Sequence, residues 1–165
     1  MAPNPHFAAI AGPLGHLLIE FNGVEMDAGT VIARLLGHDD LVAAAFASSM
    51  SFSRKVSLIE TLSALKVKDG VLAAEFKELI AQARRANSAR NQFIHGEYFA
   101  LLNEYDEQYG VVFRKLRDVA KDALRGGGYN FLQDVEVKEL TRLAEEFSNL
   151  GQNMRKIAER LTDFQ

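Results

Sequence analysis

Ala86-Asn87-Ser88-Ala89-Arg90-Asn91-Gln92-Phe93-Ile94-His95-Gly96 closes a long helical pattern that begins near Val71. Upstream of it, Leu72, Phe76, Leu79, Ala83 and Ala86 recur at spacings of three and four, which marks a buried helical face. The next position on that face is Arg90, and a guanidinium in line with a core stripe is a local conflict. It requires a partner, an interface or a ligand. Gly96 offers an end to the helix through the left-handed conformation. At about 100° per residue, Arg90 and His95 stand roughly 140° apart. His95 lies instead one turn beyond Asn91, which lies one turn beyond Asn87. The result is a polar ladder beside an apolar seam, with Arg90 in the seam. The plain structural readings are that Arg90 pairs with a carboxylate of a neighbouring helix and that His95 meets the negative end of its own helix.

The chain on either side is helical in pattern. Leu17, Leu18, Phe21, Val24, Ala28, Val31, Ile32 and Leu35 give a first helix from Leu14 to about Gly37. Gly23 and Gly29 lower its propensity without breaking it and suit close helix contact. Glu20 is the partner this helix offers to Arg90 if the two pack face to face. A turn at Gly37-His38-Asp39-Asp40 leads to a second helix, capped by Asp39 or Asp40 and running to Leu65 or Lys66. Arg54 and Lys55 in it are either phosphate contacts or a solvated basic pair. Asp69 caps the third helix. In the last helix, Leu140, Leu143, Phe147, Leu150, Met154, Ile157, Leu161 and Phe164 alternate spacings of three and four without a miss. That is a heptad seam, in which Met154 is core. Between the third and last helices, Tyr98 to Leu116 reads either as a small β-hairpin or as a helix over Tyr98 to Gln108. Arg117 to Arg125 reads as a short amphipathic segment. Gly126-Gly127-Gly128 is a break and not a phosphate loop, because no Lys-Ser or Lys-Thr follows. The expected fold is all-α, an antiparallel four-helix bundle with a small excursion before its last helix.

Composition bounds the chemistry. The 165 residues suit one domain over residues 14–165, with an irregular lead-in over residues 1–13 that carries all three prolines. Without cysteine, a disulfide framework, a thiolate zinc site and a cysteine nucleophile are excluded. The net charge of −3 gives no general case for nucleic-acid binding, so an RNA substrate needs a locally positive groove. Arg84 and Arg85, with Arg90, form the densest basic cluster. No apolar run spans a membrane, and the N-terminus lacks the basic region of a secretory signal, so the expected location is cytoplasmic. The four histidines show no metal spacing, and neither a metal nor a cofactor is expected.

The run Arg90-Asn91-Gln92-Phe93-Ile94-His95 resembles the motif of the HEPN superfamily, the helical domains named for higher eukaryotes and prokaryotes nucleotide-binding. That motif is an Arg, commonly followed by Asn, Asp or His, with four to six residues before a His. Here Asn follows Arg and four residues precede His, near the end of the third helix of a small helical chain. The resemblance extends over roughly residues 14–164 and is strong only around this helix. It implies a four-helix domain that forms homodimers, and in many members metal-independent RNA cleavage of the kind used by toxins and defence proteins. An antitoxin or another protein is then an expected partner.

The roles follow from the resemblance. His95 is the base that takes the proton of the RNA 2′-hydroxyl. Arg90 stabilises charge on the phosphoryl oxygens. Asn91 orients His95 or a phosphate. By charge and position, and not from the resemblance, Arg84, Arg85 and Asn87 are the expected substrate-binding residues. Two copies that bring their motifs into one cleft supply a second His95. The competing reading is a non-catalytic dimeric module that binds a nucleotide or a partner protein. It is distinguished by whether Arg90 and His95 open into a cleft. A third reading is a structural dimer held by the last seam, with Arg90 neutralised by Glu20 or a similar residue.

Overall fold

The computed structural model describes residues 7–37, 41, 45, 48–102, 108–114, 133–134 and 136–162. Four long helices, α1 (Ala8–Leu36), α2 (Phe52–Lys66), α3 (Gly70–Ile94) and α4 (Val137–Thr162), build a bundle. Between α3 and α4 stands a small antiparallel sheet of β1 (Glu97–Leu102), β2 (Gln108–Arg114) and β3 (Gln133–Asp134), in that order. β1 and β2 pair from Glu97↔Arg114 to Leu102↔Gln108 with an irregularity at Leu101/Leu102. Of the two sequence readings of this segment, the described residues show paired strands rather than a helix, and residues 103–107 between them lie outside the described residues.

The core grows from α1 outward. Its inner face buries Leu17, Phe21, Val24, Ala28, Val31, Ile32 and Leu35. The α4 seam lies against it, and Leu140, Leu143, Phe147, Leu150, Met154, Ile157 and Leu161 are all buried. Phe21 is the hub. Its ring meets Phe52 of α2 edge-on at 4.9 Å and Phe147 of α4 edge-on at 5.4 Å. Such geometry adds to what burial alone supplies.

The paired residues fix the helix directions. Phe21 meets Phe52 and Glu25 meets Lys55, so α1 and α2 run the same way. Phe21 meets Phe147 and Asp27 meets Arg155, so α4 runs with them. α3 is antiparallel to α2 through their short connection and to α4, with Glu75 bound to Arg160. The bundle is therefore three helices in one direction and α3 in the other. The expected alternation fails between α1 and α2 because the helix expected from Asp39 or Asp40 to Lys66 is broken. Ser51 is extended at φ −64° and ψ 151°, and α2 starts only at Phe52. Asp39, Asp40 and His38 lie outside the described residues, as do residues 115–132.

Other boundaries shift for local reasons. α1 begins at Ala8, so the lead-in expected over residues 1–13 is partly helix, with Pro13 inside it. Pro13 cannot donate to the Ala9 carbonyl, and Ala9 is exposed, so water can serve that oxygen. α3 starts where expected, with Asp69 accepting from the Leu72 N–H at 2.7 Å. The left-handed glycine is Gly37, which ends α1 at φ 78°, whereas α3 ends through His95 at φ −104° and ψ 10°. A Cβ at Gly23 would meet nothing within 4 Å, and the close approach falls at Gly151 of α4, where a Cβ would lie 2.8 Å from Asp27 Oδ2.

Candidate functional site

α3 delivers the motif to one end of the bundle. Leu72, Phe76, Leu79, Ala83 and Ala86 are buried as the stripe requires, and Phe93 closes it at 2 % exposure. Arg90 takes its place between Ala86 and Phe93 and is half-buried. Its guanidinium lies over the Phe21 ring, with Cζ 5.4 Å from the centroid, so the charge rests on the aromatic hub of the core. Its Nη1 donates to Asn91 Oδ1 at 3.0 Å. Its Nε is buried and has no hydrogen-bond partner. No carboxylate of a described residue forms an ion pair with it. Glu20, the partner the sequence offered, is instead 3.3 Å from His16.

The polar ladder stands beside this group. Asn87 is half-buried, while Asn91 and His95 are exposed. The Asn91 side chain binds Arg90, so the residue it orients is the guanidinium. His95 caps α3, its backbone N–H donating to the Asn91 carbonyl at 3.2 Å. Just beyond, the Tyr98 hydroxyl donates to the Phe93 carbonyl. Burial pushes the Tyr98 phenol up to about 12, so it remains a donor at any physiological pH.

The basic cluster is dispersed. Arg84 reaches across to Glu60 of α2 at 2.6 Å, and Arg85 binds Glu78 at 3.0 Å. Hydrogen bonds from Gln82 and Arg85 hold the Glu78 carboxyl below its ordinary value. Arg85 lines a cavity of about 440 Å³ between α3 and α4, together with Ala86, Ala89, Phe147 and Asn153. Arg90 and His95 do not line it. Lys55, one of two sequence candidates for a phosphate contact, is only 1 % exposed and donates to the Glu25 backbone carbonyl at 3.2 Å. Burial lowers its pKa. It ties α2 to α1 and is not available to a ligand at the surface. Arg54 is exposed.

Phe21 and Tyr98 carry no site signal in the sequence. Phe21 reads as one apolar position among eight. Only the coincidence of three helices on its ring makes it the seat of Arg90. Tyr98 carried no periodic signal because it lies in the segment whose structure was open. Among the described residues no group of three or more His, Cys, Asp or Glu is placed to hold a metal. No helix among them is long and apolar enough to cross a membrane. Compared with known proteins, the chain matches no family model, no curated protein and no solved structure.

Proposed function

We propose that this chain is a HEPN-like, metal-independent endoribonuclease acting as a homodimer, with Arg90 and His95 as its catalytic residues. The observation that carries the reading is the state of Arg90. A buried donor left unpaired costs about 1–3 kcal/mol, and Arg90 holds one inside an otherwise apolar stripe. A hydrophobic residue there would cost nothing of the kind. The guanidinium tip, aimed by Phe21 and Asn91, is what that cost sustains.

The surroundings favour an anion. Phe21 connects Arg90 to Phe52, the first residue of α2. Among the described residues the α2 N-terminus has no side-chain cap and no acid in its first turn, so its dipole adds positive potential at this end. The Arg84 and Arg85 pairs are exposed, and exposed ion pairs hold weakly. Both guanidiniums can exchange a carboxylate for a phosphate.

In the reaction, His95 takes the proton of the 2′-hydroxyl, and the freed oxygen attacks the adjacent phosphorus. The bond to the 5′-oxygen breaks, and that oxygen leaves with a proton from an imidazolium, supplied by His95 of a second copy. The products are a 2′,3′-cyclic phosphate and a 5′-hydroxyl. Arg90 stabilises the charge added to the phosphoryl oxygens.

A second reading rests on one specific observation: the neutralisation of Arg84 and Arg85 leaves less positive field than the sequence implies. It is a non-catalytic dimeric module that binds a nucleotide or a partner protein through Arg90. One assay separates the two. Wild type and His95→Asn, at matched helicity and mass, are incubated with mixed-sequence RNA in the presence of a chelator. His95→Asn is expected to cut about 10²–10⁴-fold more slowly, with a 2′,3′-cyclic phosphate from wild type. Equal cleavage by both removes His95 from the chemistry, and no cleavage by either favours the binding module.

A further inference from the structure

We infer that Tyr98 is the positioning residue for His95: its hydroxyl, bound to the Phe93 carbonyl, closes the turn that carries the imidazole. The inference rests on the catalytic reading of His95 for its consequence in activity, but its geometry stands apart from it.

The last four carbonyls of a helix have no partner within it. Phe93 carries one of them, at the end of α3. Had the helix continued, the N–H of Glu97 would serve that oxygen, but at Glu97 the chain has already entered β1. A donor to it comes one residue later and from a side chain, the Tyr98 hydroxyl. Both ends of this bond are anchored. Phe93 is buried in the core, and the half-buried Tyr98 ring packs against the same cluster. Through its backbone, Tyr98 is also paired with Phe113 in the sheet.

His95 lies inside the loop that this bond closes. On the near side its own N–H is tied to the Asn91 carbonyl. On the far side the Tyr98 clamp keeps Gly96 and Glu97 from swinging the turn away from α3. With its backbone held at both ends, the exposed imidazole keeps only its side-chain torsions. That is the constraint an exposed base at a helix end needs, since a misplacement of about 1 Å can cost about 10²-fold in rate. The phenol, which stays protonated to about 12, does not release the clamp in the range where an imidazole titrates.

Tyr98→Phe keeps the ring in the core and removes only the donor. Its test is a pair of measurements on the full chain. The first is the NMR signature of the His95 imidazole, its Cε1–H resonance compared in wild type and variant at one pH. A moved chemical shift is expected, with the far-ultraviolet spectrum unchanged. Superimposable His95 resonances overturn the proposal. The second is RNA cleavage with chelator, where kcat is expected to fall on the order of 10-fold, short of the limit for a full misplacement, while KM stays within about twofold. A fall confined to KM, or no fall beside an active wild type, also overturns it. If wild type does not cleave RNA, the ribonuclease reading fails and the imidazole resonance alone decides. Should Tyr98→Phe fold poorly, wild type still answers. The clamp requires a Tyr98 hydroxyl proton that exchanges slowly with water, and exchange at the bulk rate rules it out.

Discussion

α4 and α3 are helices of similar length built on the same apolar period, and they end differently. Along α4 every seam position from Leu140 to Leu161 is apolar and buried. Along α3 the stripe runs from Leu72 to Ala86 in the same way, and then a charge takes the next place before Phe93 resumes burial. The regular seam specifies a fold that many sequences could fill. The interrupted one identifies a residue whose presence packing does not explain. The contrast also separates what stabilises the molecule from what gives it a candidate site, and the two meet on one ring, Phe21.

That meeting gives the largest expected effect on stability. Phe21→Ala removes a side chain that is 1 % exposed, both edge-on contacts and the platform of Arg90. Chemical denaturation should register a loss of about 3–5 kcal/mol. A loss under about 1.5 kcal/mol would show that α1, α2 and α4 do not converge there and would dissolve the contrast drawn above.

A finer comparison uses two glycines. In Gly23→Ala the added methyl meets nothing within 4 Å. The helix-propensity gain should then appear unopposed, as a stabilisation of about 0.5–1 kcal/mol. In Gly151→Ala the methyl would lie 2.8 Å from the Asp27 carboxylate that binds Arg155, so that carboxylate has to move. The same substitution should there bring no gain, and a net loss of up to about 1 kcal/mol is expected. Thermal melts of the two variants should move in opposite directions. Equal upward shifts would mean that α1 and α4 pack less closely at Gly151 than described.

Much of this fold can be read from the chain, because burial on helices imposes a period. The α3 stripe, the α4 seam and the Asp69 cap were all legible from spacing and residue type. The direction of α2 was not, since the break at Ser51 leaves no clear mark: the small residues before it suit a helix as well as a loop. The site was legible in part. Arg90 is visible as a charge out of pattern, and His95 as the end of a polar ladder. Their environment was not, because it is tertiary. Phe21 lies 69 positions before Arg90 in the chain, and nothing in local sequence joins them. Arg84 and Arg85 read as a basic cluster because sequence counts charges, whereas their carboxylate partners sit one helix away and one turn or two along α3. Lys55 looked like a surface cation because lysine almost always is one. Its burial depends on the α1 carbonyl that receives it.

The claim at the centre is that Arg90 occupies the α3 stripe for its charge and not for the stability of the bundle. Arg90→Leu completes the apolar stripe and removes the unpaired Nε. Denaturation midpoint and chelator-resistant RNA cleavage, measured on the same preparation, decide the matter. The expected result is a fold as stable as wild type to within about 1 kcal/mol, or more stable, with cleavage lost. A variant destabilised by about 3 kcal/mol or more that still cuts RNA would make Arg90 a structural residue and contradict the account.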